Sequence, residues 1–141
     1  MKQPTTVGID VAKAKIDVAI VTEDEIVKKQ FPNQTEQDMF NLIAWLKNNK
    51  VQSSDSIVVE STGSYHWLVC IVLVENNFKV HLINPLITKK YEKSSIRGAK
   101  TDTIDSIRLA EIGFLEKDLP IFFDSRESLS GKKYHSLYAK I

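Results

Sequence analysis

The sequence predicts an α/β domain built on a mixed five-stranded sheet with helices on both faces. Three observations carry that reading. Val- and Ile-rich runs at 6–10, 15–22 and 26–31 follow one another with only brief turns between them, as in an antiparallel meander. Beyond them, short apolar runs alternate with segments whose apolar residues recur at helical spacing, which implies βα units and parallel pairing. Finally, 141 residues that are 43% hydrophobic, with five Gly and four Pro, suit one domain large enough to bury a proper core.

Taken in order, the first strand ends on a carboxylate, Asp10, and the second begins after the charged break Ala12-Lys13-Ala14. Glu23-Asp24-Glu25 is a polar turn into the third strand, which stops at Pro32 because proline cannot donate to a ladder. Asn33 or Thr35 caps a helix with Met39, Leu42, Ile43 and Leu46 on one face, ended by Asn48-Asn49. Residues 56–60 form a continuous apolar strand of the kind buried on both faces, closing on Glu60. Ser61-Thr62-Gly63-Ser64 turns the chain into a helix over 65–75 that is apolar almost all round and therefore expected to be deeply buried. A strand at 79–83 stops at Asn84-Pro85, a short helix is expected at 86–91, and 94–100 is a polar, basic loop. Thr101 or Asp102 opens a last helix with Ile104, Ile107, Leu109 and Ile112 on its buried side, and a separate helix is expected at 126–141. The order is β-β-β-α-β-α-β-α.

The net charge of +1 does not announce a nucleic-acid binder, but its distribution is uneven. Residues 1–60 carry 7 basic and 9 acidic side chains, whereas 61–141 carry 12 and 9. The excess lies around Lys89, Lys90, Lys93, Arg97 and Lys100, and again at Lys132, Lys133 and Lys140, a solvated face or a phosphate-tracking patch. The single cysteine, Cys70, sits in an apolar run and reads as a small buried hydrophobe. That run is far short of the ~20 residues that cross a bilayer, and the first residues lack the apolar segment of a signal peptide, so a cytoplasmic protein without membrane contact is expected.

Two strands end on acids, Asp10 and Glu60, and in a mixed sheet of this order the first and fourth strands can lie parallel and side by side. Their C-terminal ends, the edge where open α/β sheets bind ligands, would then bring the two carboxylates together. Asp102 and Asp105 share one face of the last helix. Four converging carboxylates would repel unless cations lay between them. Mg²⁺ and Mn²⁺ prefer oxygen ligands, and two such ions ~3.5–4 Å apart clamp the attacking and leaving oxygens of phosphodiester chemistry. A purely structural account stands beside this one: an Asp N-cap followed by a second Asp three residues on is favoured by the helix dipole alone. Asp17, mid-strand, reads as an exposed strand position rather than a ligand.

Three blocks, Val7-Gly8-Ile9-Asp10-Val11-Ala12-Lys13, Glu60-Ser61-Thr62-Gly63-Ser64-Tyr65 and Lys100-Thr101-Asp102-Thr103-Ile104-Asp105-Ser106, resemble the DEDD transposases of the insertion-sequence-110 family and the related pilin-gene invertases. The resemblance extends to about Gly113 and includes Asn84-Pro85 and Arg97-Gly98-Ala99-Lys100. It implies a ribonuclease H-like (RuvC-like) catalytic domain over 1–120, with 121–141 beginning a helical connector to a C-terminal domain that lies outside this chain. By the same resemblance Asp10, Glu60, Asp102 and Asp105 are the catalytic, metal-binding acids, holding two Mg²⁺ or Mn²⁺ ions. DNA is the implied partner, touched by Lys89, Lys90, Lys93, Arg97 and Lys100. A guide RNA from the same element and a homo-oligomer of the full-length protein are implied as well. The absent domain would bring a nucleophilic serine, without which the isolated domain is not expected to recombine DNA. Tyr65, His66 and Trp67 follow the glutamate block, with Trp67 expected in the core.

Three other functions fit parts of the pattern. A kinase-like ATPase shares the opening Gly-Ile-Asp, but Val11-Ala12-Lys13-Ala14-Lys15 lacks the Gly- and hydroxyl-rich turn that holds phosphate. A stand-alone Holliday-junction resolvase fits the length, though not the trailing helix. In a non-catalytic interaction module the acids would only cap and turn, and metal binding separates that module from the rest.

Overall fold

The computed structural model describes residues 4–60, 65–84, 106–116, 119 and 121–122. Its five strands are β1 (Thr6–Val11), β2 (Lys15–Val21), β3 (Ile26–Pro32), β4 (Ser56–Glu60) and β5 (Lys79–Ile83), and its helices are α1 (Glu36–Asn48), α2 (His66–Glu75) and α3 (Ser106–Leu115). They form one sheet in the order β3-β2-β1-β4-β5. β1, β2 and β3 pair antiparallel, while β4 and β5 join β1 in parallel. The meander and the two βα units of the sequence reading are therefore present, in one mixed sheet. The helices expected at 86–91 and 126–141, and the loops at 61–64 and 94–100, lie outside the described residues.

Strand alternation decides what each face of the sheet meets. Val7, Ile9 and Val11 of β1, Ile16, Val18 and Ile20 of β2, and Ile57 and Val59 of β4 join Leu42, Leu46, Val69 and Leu73 in the main core, under α1 and α2. The alternate residues face α3. Val58 packs with Leu109 and Ile112, and Ala19 and Val21 pack with Ala110.

Both α1 and α2 end in the same way. Lys50 and Asn77 take positive φ values of 64° and 67° just past the helices. The N–H of Lys50 donates to Lys47 O and that of Val51 to Leu46 O; Asn77 and Phe78 repeat the pattern with Val74 and Leu73. These paired bonds satisfy carbonyls that a helix end leaves without partners. Of the two candidate caps for α1, Thr35 takes the position, and its hydroxyl accepts from the Asp38 N–H while the Asp38 carboxylate accepts from the Gln34 and Thr35 N–H groups. Those backbone bonds hold the Asp38 carboxyl below its ordinary 3.8. A depressed folded value means stability that is present above the unfolded pKa and lost as pH falls through the folded one. In urea titrations the wild type should thus exceed Asp38→Asn at pH 7 and lose that advantage below about pH 4.

Candidate metal centre

Asp10 and Glu60 close neighbouring parallel strands. Thr6 pairs with Ser56, Val7 with Ile57, Gly8 with Val58 and Ile9 with Val59, so the next step in register sets Asp10 beside Glu60. Neighbouring strands lie ~4.8 Å apart, which makes this the spacing of the two backbones. Both side chains project toward the α3 face, because Gly8 and Val58, two residues earlier, meet that helix. Glu60 is 7% exposed and Asp10 half-buried.

The row does not stop there. Asp10 pairs across the antiparallel ladder with Asp17, and Asp17 with Gln30. On the other side Glu60 pairs with Ile83. One rung on the α3 face therefore reads Ile83, Glu60, Asp10, Asp17, Gln30 across all five strands. Three carboxylates stand on consecutive strands, an arrangement that repels in the absence of compensation. The Gln30 amide donates to Asp17 Oδ1 at 2.8 Å and holds the outermost of them. The sequence reading left Asp17 as an exposed strand position; it is half-buried and directly opposite Asp10. The signal was available, since a hairpin turning at 12–14 in this register opposes residues 10 and 17.

α3 fixes the other side of this rung. A Cβ on Gly8 would lie 1.9 Å from Ser106 O and 2.5 Å from Ala110 N, so helix backbone rests directly on the strand. The Thr6 hydroxyl donates to Ala110 O at 2.6 Å, and Gly113 approaches Thr6 and Val58. Along β1 from Thr6 to Gly8, the contacts on α3 run back from Gly113 to Ser106. The N-terminus of α3 thus points toward the strand end that carries Asp10. Ser106 is fully buried, and its Oγ has no hydrogen-bond partner among the described residues.

Asp102 and Asp105, together with Lys89, Lys90, Lys93, Arg97 and Lys100, lie outside the described residues. Among those described, no three His, Cys, Asp or Glu side chains come together to hold a metal ion. On α2, Trp67 departs from its expected place in the core. It is 43% exposed, stacked on His66 at 5.1 Å and met edge-on by Phe122 at 5.8 Å. Phe122 is itself tied by its N–H to Val80 O at 2.8 Å. Burial lowers the His66 pKa and keeps its ring neutral at pH 7. Burial also pushes the Cys70 thiol up to about 12, so this cysteine is the inert hydrophobe its sequence context suggested. No helix among the described residues is long and apolar enough to cross a membrane.

The sheet order, with helices on both faces and two acids at adjacent strand ends, defines a RuvC-like α/β fold. In agreement, the structure matches Thermus thermophilus RuvC in complex with a Holliday junction substrate with a TM-score of 0.50 over 76% of this chain and 90% of that one, at 13% identity. The DEDD transposase model of the insertion-sequence-110 family matches residues 7–130, and the chain belongs to that family. It is also 31% identical over 118 residues to the pilin gene-inverting protein of Moraxella lacunata, and 30% identical to that of Moraxella bovis. Each alignment covers 79% of this chain and 35% of the relative, so the chain spans about a third of the length of these proteins.

Proposed function

We propose that this chain is the metal-dependent nuclease portion of a DNA transposase or recombinase, in which Asp10, Glu60, Asp102 and Asp105 together bind two Mg²⁺ or Mn²⁺ ions. The observation that carries the reading is the meeting of α3 with β1. Asp105 is joined directly to Ser106, whose carbonyl rests on Gly8, and Gly8 precedes Asp10 by two residues on the same face. Consecutive Cα atoms are ~3.8 Å apart, so Asp105 is chained to the end of α3 that packs on β1 two residues before the Asp10–Glu60 rung.

The donor set fits the ions. Every candidate ligand is a carboxylate, the oxygen donor that hard divalent cations prefer. When bound, such ions polarise a phosphodiester and stabilise its attacking and leaving oxygens. The protein's part is to hold the carboxylates rigid: Asp10 inside a strand paired on both sides, Glu60 at the end of a buried one. Lys89, Lys90, Lys93, Arg97 and Lys100 would neutralise the phosphates of the bound DNA.

The relatives are about three times as long as the region they share with this chain, which leaves room for a further domain; in this reading that domain is C-terminal and supplies a nucleophilic serine for strand cleavage and rejoining. In this reading residues 1–120 are the catalytic domain and 121–141 begin the connector. A guide RNA and assembly into a homo-oligomer belong to the complete protein.

Calorimetric Mn²⁺ titration of this chain tests the site. The wild type should bind, and Asp102→Asn should lose most of the affinity. No binding, or equal binding by the variant, would overturn the assignment.

A further inference from the structure

α3 covers β1, the inner part of β2 and β4, but nothing among the described residues covers the same face of β3. Ile26, Lys28, Gln30 and Pro32 are all exposed there. Lys28 pairs with Ala19 and Gln30 with Asp17, so this bare face continues the surface on which the carboxylate row lies. Lys15 projects from the same face of β2, two residues before Asp17, and Lys13 stands at the exposed tip of the β1–β2 hairpin. Asn33 braces that tip, with its side-chain amide on Ala12 O and its N–H on Ala14 O, both at 2.9 Å.

The charges on this ledge are not spent internally. Asp17, the carboxylate between Lys15 and Lys28 on that face, accepts from Gln30. None of Lys13, Lys15 and Lys28 has a carboxylate partner among the described residues. An edge strand is often guarded by lysines against pairing with other chains, and that role alone would explain Lys28. It does not explain why the charges extend to β2 and the hairpin tip beside the acids. β3 lies two strand spacings, ~10 Å, from β1. The ledge therefore lies within reach of a polyanion bound at the Asp10–Glu60 rung.

We infer that Lys13, Lys15 and Lys28 form a phosphate-binding ledge, which holds the DNA strand leading away from the bond at the Asp10–Glu60 rung. The inference rests on the proposed function and adds a contact surface on the opposite side of Asp10 from Glu60.

The test is the salt dependence of binding of this chain to a linear duplex oligonucleotide, read by fluorescence anisotropy with Mn²⁺ present. Each phosphate contact contributes about 0.9 to the slope of log K against log salt. The triple variant Lys13→Ala, Lys15→Ala, Lys28→Ala should lower that slope by about 2–3 and weaken binding at least tenfold at ~0.15 M salt. Its thermal midpoint should stay unchanged, because all three side chains are exposed. Lys79→Ala, at the opposite end of the sheet, should leave the slope alone. A wild type that binds DNA with a slope the triple variant does not alter, or that Lys79→Ala lowers equally, overturns the ledge and leaves the metal site standing. A wild type with no salt-dependent DNA binding also overturns the ledge, and the metal site is then decided by the Mn²⁺ titration.

Discussion

Gly8→Ala should be the most damaging small substitution in the domain. Its new methyl would fall 1.9 Å from Ser106 O and 2.5 Å from Ala110 N, both helix backbone that no rotamer change can move aside. Gly8 sits in an ordinary strand, so the cause is lack of space rather than an unusual φ. Overpacking of this kind costs about 1–3 kcal/mol and at times more, and contact with backbone puts Gly8→Ala at the upper end. Against a total of about 5–15 kcal/mol, that is a large share. The chain can relieve the clash only by lifting α3 from β1. The Thr6–Ala110 hydrogen bond would go with it, and the proposed ligands on either side of the interface would separate. Urea denaturation should show the loss of stability, and Mn²⁺ titration of the protein that remains folded should show a loss of affinity. Stability within about 0.5 kcal/mol of wild type would contradict this account of the α3 contact.

Asp10→Asn should separate function from stability. Asparagine keeps the shape of the side chain and removes one charge from the centre of the row Glu60, Asp10, Asp17. Without metal, relief of like-charge repulsion and the change to Asp10's own contacts are each worth about 0.2–1 kcal/mol, so the variant should melt close to the wild-type temperature. Metal affinity should fall beyond the ~10–100-fold that supporting partners alone account for. Differential scanning calorimetry with and without Mn²⁺ measures both effects: the metal should raise the midpoint of the wild type and leave that of Asp10→Asn in place. A variant that melts well below wild type without metal would make Asp10 chiefly a structural residue.

Much of the fold was legible because the physics was local. The Val/Ile runs around Asp10 and Glu60 and the helical spacing of Met39, Leu42, Ile43 and Leu46 each specify their element within a few residues. The adjacency of Asp10 and Glu60, fifty positions apart, followed from strand order, and the register Ile9–Val59 delivers it. What escaped depended on register and on the opposite face. Asp17 looks unremarkable as a lone polar residue in a strand. Its place in the row exists only because the hairpin turns at 12–14 and sets it against Asp10. Gly8 reads in sequence as part of a strand motif, and only the packing of α3 shows that the position has no room for a Cβ. Trp67 misled because a helix apolar all round suggests complete burial, whereas the first turn of α2 emerges beside Phe122.

Anomalous diffraction from crystals grown with Mn²⁺ addresses the central claim most directly. The account predicts manganese on the α3 side of the sheet, with carboxylate oxygens of Asp10 and Glu60 in direct coordination and Asp102 or Asp105 also in the shell. Manganese that touches neither Asp10 nor Glu60, or no anomalous peak at this rung under saturating metal, would contradict it.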